Sequence, residues 1–210
     1  MKYKNYLFDL DGTLTDPGKG IKNSIRYALD KAGLAPLDEE ILNSFIGPPL
    51  LDSFERYCGV TPEESKRLVA LYREYFSVTG LFENEVYDGI PEMLAELKAR
   101  GAKIFLATSK PEPFAIRILE HFGLMQYFTF AGGSTMDETR TAKAEVIDYV
   151  LEKGKLVPEE SVMVGDRKYD IEGGSKCGLD TVAVTFGYGS REELANANYI
   201  IDEPKQLLDI

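Results

Sequence analysis

Two carboxylates stand one residue apart, Asp9 and Asp11, at the end of the apolar run in Tyr6-Leu7-Phe8-Asp9-Leu10-Asp11-Gly12-Thr13-Leu14-Thr15. A carboxylate that closes a buried strand loses hydration, and a cation, hydrogen-bond donors or a proton must offset that loss. At the carboxyl end of a parallel strand such acids also stand where open α/β sheets carry their sites. One of the two is then a candidate nucleophile or metal ligand and the other a candidate acid/base. The plainer reading is a strand ending in an Asp-Gly turn, with Asp9 hydrogen-bonded nearby. An Asp-x-Asp pair does not separate these readings by itself, so the rest of the chain has to.

The elements that would position the pair are legible as short apolar runs alternating with helical periodicity. Strands are expected at residues 6–10, 103–108, 128–131, 161–164 and 181–184, with helices at 114–122 and 144–152 and another near Pro91. Such βαβα alternation means a parallel sheet covered by helices on both sides. Between about Asp16 and Glu83 the pattern changes to consecutive helices. Ile21, Ile25, Ala28, Leu29 and Ala32 form one amphipathic stripe, and Leu68, Leu71, Tyr72, Tyr75 and Phe76 form another. Thr61-Pro62-Glu63-Glu64 reads as the start of the second, with Thr61 as its N-cap. The expected architecture is therefore an α/β, Rossmann-like parallel sheet core, residues 1–15 and 83–210, with a small all-helical domain inserted at 16–82. The segment from 192 to 210 reads as a small helix, a short strand and a last helix.

Composition narrows the partners. The 210 residues carry a net charge of −11, and no basic cluster exceeds Arg167-Lys168, which argues against a nucleic-acid backbone or an anionic membrane surface. Cys58 and Cys177 are too few for a disulfide framework or a zinc site. The first residues lack the core of a signal peptide, and no segment approaches the ~20 apolar residues that span a bilayer. A cytoplasmic protein, monomer or homodimer, is expected. Gly187-Tyr188-Gly189 lacks dinucleotide-binding spacing, and Gly132-Gly133-Ser134 lacks the Gly-Lys-Ser/Thr of a phosphate loop.

Asp-Leu-Asp-Gly-Thr at 9–13 resembles the first motif of the haloacid dehalogenase superfamily, and three further motifs follow in that superfamily's order. Ala107-Thr108-Ser109-Lys110-Pro111 resembles the second, Lys143 falls where the family carries its lone basic residue, and Val162-Met163-Val164-Gly165-Asp166-Arg167-Lys168-Tyr169-Asp170 resembles the fourth. The resemblance runs from Phe8 to the tail, is of the phosphoglycolate-phosphatase-like kind, and makes the helical insert a cap over the core.

The resemblance implies a phosphatase of small phosphorylated metabolites. Asp9 would be the nucleophile that takes the phosphoryl group, and Asp11 the acid/base. Thr108, Ser109 and Lys143 would bind the substrate phosphate, and Gly12 would let the turn bring amide groups towards it; Lys110 would continue the same loop. Asp9, Asp166 and Asp170, with the carbonyl of Asp11, would form an oxygen-only site of the kind that favours Mg²⁺. Asp170 stands behind the direct ligands in this reading, or caps a helix starting at Ile171.

The cap would choose the substrate. Phe45-Ile46-Gly47-Pro48-Pro49-Leu50 is a stiff candidate loop, and Lys19, Lys22 and Arg26 are candidate anion contacts. Within the family, 5'-nucleotidase or pyrophosphatase activity and a phosphotransferase of the β-phosphoglucomutase type are the alternatives. From another class, an idle binding or regulatory module is the remaining one.

Overall fold

The computed structural model describes residues 2–137 and 139–210. The chain divides into two compact units, one made of the residues up to Thr15 together with Val86–Ile210, the other of Asp16–Glu85. In chain order the first elements are β1 (Asn5–Phe8), β2 (Thr15–Asp16), α1 (Gly18–Ala32), α2 (Glu39–Asn43), α3 (Leu50–Cys58), α4 (Pro62–Phe76) and β3 (Glu85–Val86). Then come α5 (Ile90–Ala99), β4 (Lys103–Pro111), α6 (Glu112–His121), β5 (Phe130–Ser134), α7 (Lys143–Gly154), β6 (Ser161–Gly165), α8 (Lys168–Lys176), β7 (Asp180–Val184) and β8 (Tyr199–Ile201).

The larger unit is built on a six-stranded sheet in the order β5-β4-β1-β6-β7-β8. Every neighbouring pair is parallel, with Phe8 level with Leu106 on one side and Val164 on the other. Apolar residues run continuously along these strands because both faces are covered. One face packs Leu7, Phe105, Ala107 and Met163 against Val146, Ile147 and Val150 of α7. The opposite face carries Tyr6, Phe8, Ile104 and Val164, buried as are Met93, Leu94 and Leu97 of α5. Each such side chain contributes about 1.5–3 kcal/mol on burial. The chain leaves β1 for β4 and β5 on one side and returns to β6 on the other. That reversal makes the carboxyl end of β1 a switch point, where an open α/β sheet leaves a crevice.

The smaller unit is helical. α1 buries Ile21, Ile25, Ala28 and Leu29, and α4 buries Leu68, Val69, Tyr72 and Phe76, so the two stripes read from the sequence meet each other. Thr61 Oγ1 accepts the Glu64 N–H at 3.3 Å, which caps α4. Lys22 and Arg26 both pair with Glu39 inside this unit. Phe45 and Ile46 are buried, with Phe45 against Phe54, so the Gly47-Pro48-Pro49 turn leaves from an anchored pair.

Three expectations are corrected. The strand expected at 103–108 continues to Pro111, because a register shift between Thr108 and Pro111 lets the backbone bulge and rejoin β5. The small helix expected after 192 is a run of turns: Asn198 turns its side chain to accept the Thr181 N–H at 2.8 Å, which ties the segment to β7. The last helix is a 3-10 turn, Pro204–Asp209. Among the described residues no helix is long and apolar enough to cross a membrane.

Candidate active site

Asp9 follows the last residue of β1, and its N–H still bonds the Val164 carbonyl at 2.9 Å, so the ladder holds its backbone in place. Its side chain is buried, and Oδ1 lies 2.7 Å from Lys143 Nζ. Lys143 opens α7; its Nζ donates to Asp9 Oδ1 and to the Ala107 carbonyl at 3.0 Å, and forms an ion pair with Asp170 Oδ1 at 2.7 Å. Burial alone would lower the ammonium's pKa, but the carboxylates of Asp170 and Asp9 outweigh it and hold it above the ordinary lysine value. Lys143 is thus a fixed cation between Asp9 and Asp170.

Asp166 and Asp170 come from the turn between β6 and the first turn of α8. Asp166 is fully buried; Oδ1 accepts from Thr13 Oγ1 at 3.2 Å and Oδ2 from the Tyr188 N–H at 2.8 Å. Burial first, and the nearby Asp170 and Asp9 second, push its pKa well above the usual carboxylate value. Asp170 is not the N-cap of a helix from Ile171: α8 begins at Lys168, and Asp170 sits in its first turn with Oδ2 accepting the Arg167 N–H at 3.0 Å. The carboxylate therefore reaches back over the helix start while its other oxygen meets Lys143. Burial pushes Asp170 up to about 6, against the pull of Lys143.

Asp11 stands one residue past Leu10, and its Oδ2 lies 2.7 Å from Lys110 Nζ. Its Oδ1 is buried without a hydrogen-bond partner. Burial raises the Asp11 pKa, Lys110 pulls it back, and the neighbouring Asp9 raises it again. Lys110 itself is buried, in the bulge that follows Thr108. Thr108 is buried in β4, and its Oγ1 accepts the Lys110 N–H at 3.2 Å, so the hydroxyl shapes the bulge that follows it. Ser109 is half-buried in the same bulge.

Gly12 makes the tight turn. Its own N–H bonds the Thr15 carbonyl at 2.7 Å. Its φ is +81°, and a Cβ there would lie 2.1 Å from Asp166 Oδ2. Only glycine lets the first turn pass this close to the acid.

Reactive oxygens of Asp9, Asp166 and Asp170 all lie within 4.8 Å of one another. Four carboxyl groups (Asp9, Asp11, Asp166, Asp170) share two ammonium groups (Lys110, Lys143), a formal excess of two negative charges if all ionise. A hard divalent cation among the three clustered carboxylates removes that excess, and all three donors are oxygens. The chemistry of the set and the raised pKa values of Asp166 and Asp170 both fit such an ion.

The structure thus brings Asp9, Lys143 and Asp170 into direct contact, with Asp166 beside them, and sets Asp11, Thr108 and Ser109 on the neighbouring turns. Sequence reasoning undervalued Lys110 and passed over Thr13 and the amide of Tyr188. Lys110 could have been weighted by its place two residues beyond Thr108 on a strand next to two acids. Nothing in the types Gly-Tyr-Gly announces an amide aimed at Asp166.

A model of the haloacid dehalogenase-like hydrolases matches residues 6–184. A 5'-nucleotidase of Pseudomonas aeruginosa is 45% identical over 92% of this chain and 88% of its own. Tyrosine-protein kinase PtkA of Mycobacterium tuberculosis is 40% identical over 87% of this chain, which spans 62% of that protein. The crystal structure of a predicted phosphatase from Clostridium acetobutylicum superposes with a TM-score of 0.94 at 42% identity, covering 100% of both chains.

Proposed function

The chain belongs to the haloacid dehalogenase-like hydrolases and is a phosphatase of that family, and from that premise we propose that it hydrolyses small phosphomonoesters in a Mg²⁺-dependent reaction through an aspartyl-phosphate on Asp9. The observation that carries the reading is the Lys143 ammonium 2.7 Å from both Asp9 and Asp170, with Asp166 beside them. It supplies a held carboxylate, a fixed positive charge and an oxygen-only cation site in one crevice.

In the first step an Asp9 oxygen forms a bond to phosphorus as the ester bond breaks, and the leaving oxygen takes the proton of Asp11. In the second, Asp11 removes a proton from water, the water oxygen attacks phosphorus, and the Asp9–phosphorus bond breaks to release phosphate. Splitting the hydrolysis this way replaces one difficult step by two easier ones. Asp11 suits both directions because burial raises its pKa above that of a free aspartate. Lys110 fixes the orientation of Asp11, Lys143 fixes that of Asp9, and the Thr108 hydroxyl donates to a phosphoryl oxygen. Mg²⁺ held by Asp9, Asp166 and Asp170 would supply positive charge for the phosphate oxygens.

The relative named as a 5'-nucleotidase puts nucleoside 5'-monophosphates ahead of phosphoglycolate, sugar phosphates and pyrophosphate as the substrate class. Phosphate release with Mg²⁺ across that panel, with Asp9→Asn alongside, tests both levels. Turnover of nucleoside monophosphates above the others, abolished in the variant, is expected. Preferred turnover of another member would move the substrate class, and none for any folded sample would overturn the phosphatase chemistry.

A further inference from the structure

The sequence shows after β7 only a Gly-Tyr-Gly stretch without dinucleotide-binding spacing, followed by an expected small helix, yet the segment touches the acidic cluster at several points. The Tyr188 N–H donates to Asp166 Oδ2 at 2.8 Å. A Cβ on Gly187 would lie 2.2 Å from the Gly12 carbonyl oxygen and 2.4 Å from Asp166 Cβ, and one on Gly189 1.9 Å from the Asp166 carbonyl oxygen. The backbone therefore lies flat against both the first turn and the Asp166 turn, as only glycine allows.

Four residues on, Glu193 holds the other end of the same turn. Its Oε1 accepts from Arg167 Nε and from the Lys168 N–H, each at 2.9 Å. Both partners lie between Asp166 and Asp170, and the Arg167 N–H is the donor that orients Asp170. Glu193 is itself fixed: its N–H bonds Ser190 Oγ at 3.2 Å, and the next residue, Leu194, is fully buried with Ile171 of α8 and Ala183 of β7. The Arg167–Glu193 pair is largely shielded, 17% exposed on each side chain, so its geometry is not left to solvent.

We propose that residues 187–193 are a positioning clamp for the cation site, in which Tyr188 aims Asp166 and Glu193 fixes the Arg167–Lys168 turn that sets the spacing of Asp166 and Asp170. The clamp rests on the proposed Mg²⁺ site. Groups that orient metal ligands govern affinity about as strongly as weak ligands do, and their loss typically costs about 10–100-fold in metal binding. Glu193 is a positioning residue, acting through Arg167 and Lys168, and touches no substrate.

The test compares wild type, Glu193→Leu and Glu193→Gln. Titration calorimetry with Mg²⁺ alone gives the dissociation constant, and thermal melting without metal reports the fold. Glu193→Leu, close in volume but without an acceptor, is expected to weaken Mg²⁺ binding about tenfold or more, at a temperature where melting shows it folded. Glu193→Gln keeps an acceptor for the Lys168 N–H and is expected to recover most of that loss. Equal Mg²⁺ affinity in wild type and Glu193→Leu would overturn the clamp while leaving the cation site standing. A Gln variant as weak as the Leu variant would assign the effect to charge and would also overturn it. A wild type that binds no Mg²⁺ would remove the cation site on which the clamp rests.

Discussion

Lys110 Nζ lies 2.7 Å from Asp11 Oδ2, inside a bulge that takes the residue out of the β4–β5 ladder. The bulge and the acid thus share one contact, and the acid/base candidate is held by a residue from the next strand over. Without this lysine Asp11 would keep its burial and lose its nearest cation. Lys110→Met is expected to lower kcat/KM on the order of 10²-fold, the scale on which small misplacements of a reacting group act. Steady-state kinetics on the preferred phosphomonoester measures it; an unchanged kcat/KM would show that Asp11 does not depend on Lys110.

Lys143 is coupled to stability as well as to chemistry. Two carboxylates share its buried ammonium, and removing one partner of a buried pair costs about 3–5 kcal/mol because the charge left behind is uncompensated. Lys143→Met is therefore expected to lose activity and to unfold at markedly lower denaturant. Added Mg²⁺ should restore part of the stability, since it relieves the same carboxylates.

Gly12→Ala tests the close approach of the two turns. The residue would be forced into a left-handed conformation, and its Cβ would meet Asp166 Oδ2 at 2.1 Å. The left-handed conformation alone costs about 1–2 kcal/mol, and relief of the clash requires Asp166 to move. Expected are loss of activity with a modest fall in melting temperature. Full activity would mean that the Asp166 geometry is not demanded by the reaction.

Far from the site, Asp180 is bonded by Lys2 Nζ at 2.8 Å and by the Tyr3 hydroxyl. The Lys2 ammonium first, and Tyr3 second, hold its carboxyl below the ordinary aspartate value. A carboxyl lowered on folding contributes stability that is present above its unfolded-state pKa and is lost as pH falls through the folded-state pKa. The melting-temperature difference between wild type and Asp180→Asn should accordingly be constant near neutrality and above, and shrink below about pH 4. A difference that grows on acidification would contradict this sign.

The acids of the site were legible because Asp9 and Asp166 close the apolar runs Leu7-Phe8 and Val162-Met163-Val164-Gly165 and because four motifs follow in one family's order. The sheet followed from the same apolar runs. The continuation of β4 was not legible, since Ser109-Lys110-Pro111 has little strand preference and rejoins β5 only through a bulge. Gly187 and Gly189 were passed over because they act by lacking a side chain, and Tyr188 acts here through its backbone. The turns before β8 were misread as helix because Ala-Asn-Ala-Asn carries weak helical signal, and the Asn198 bond to β7 decides the matter through tertiary contact. Asp170 was misread in one part: the helix starts at Lys168, so its carboxylate caps no helix from Ile171 but reaches back to the Arg167 amide while its other oxygen meets Lys143.

The central claim is that Asp9 carries the phosphoryl group. Its most direct measurement is rapid acid quench of enzyme turning over its preferred phosphomonoester with Mg²⁺, followed by borohydride reduction and peptide mass analysis. The account predicts conversion of residue 9 to homoserine in wild type, more of it in Asp11→Asn if breakdown of the intermediate is slowed, and none in Asp9→Asn. Turnover with no modification at residue 9 in either wild type or Asp11→Asn, or modification at another carboxylate, would contradict it.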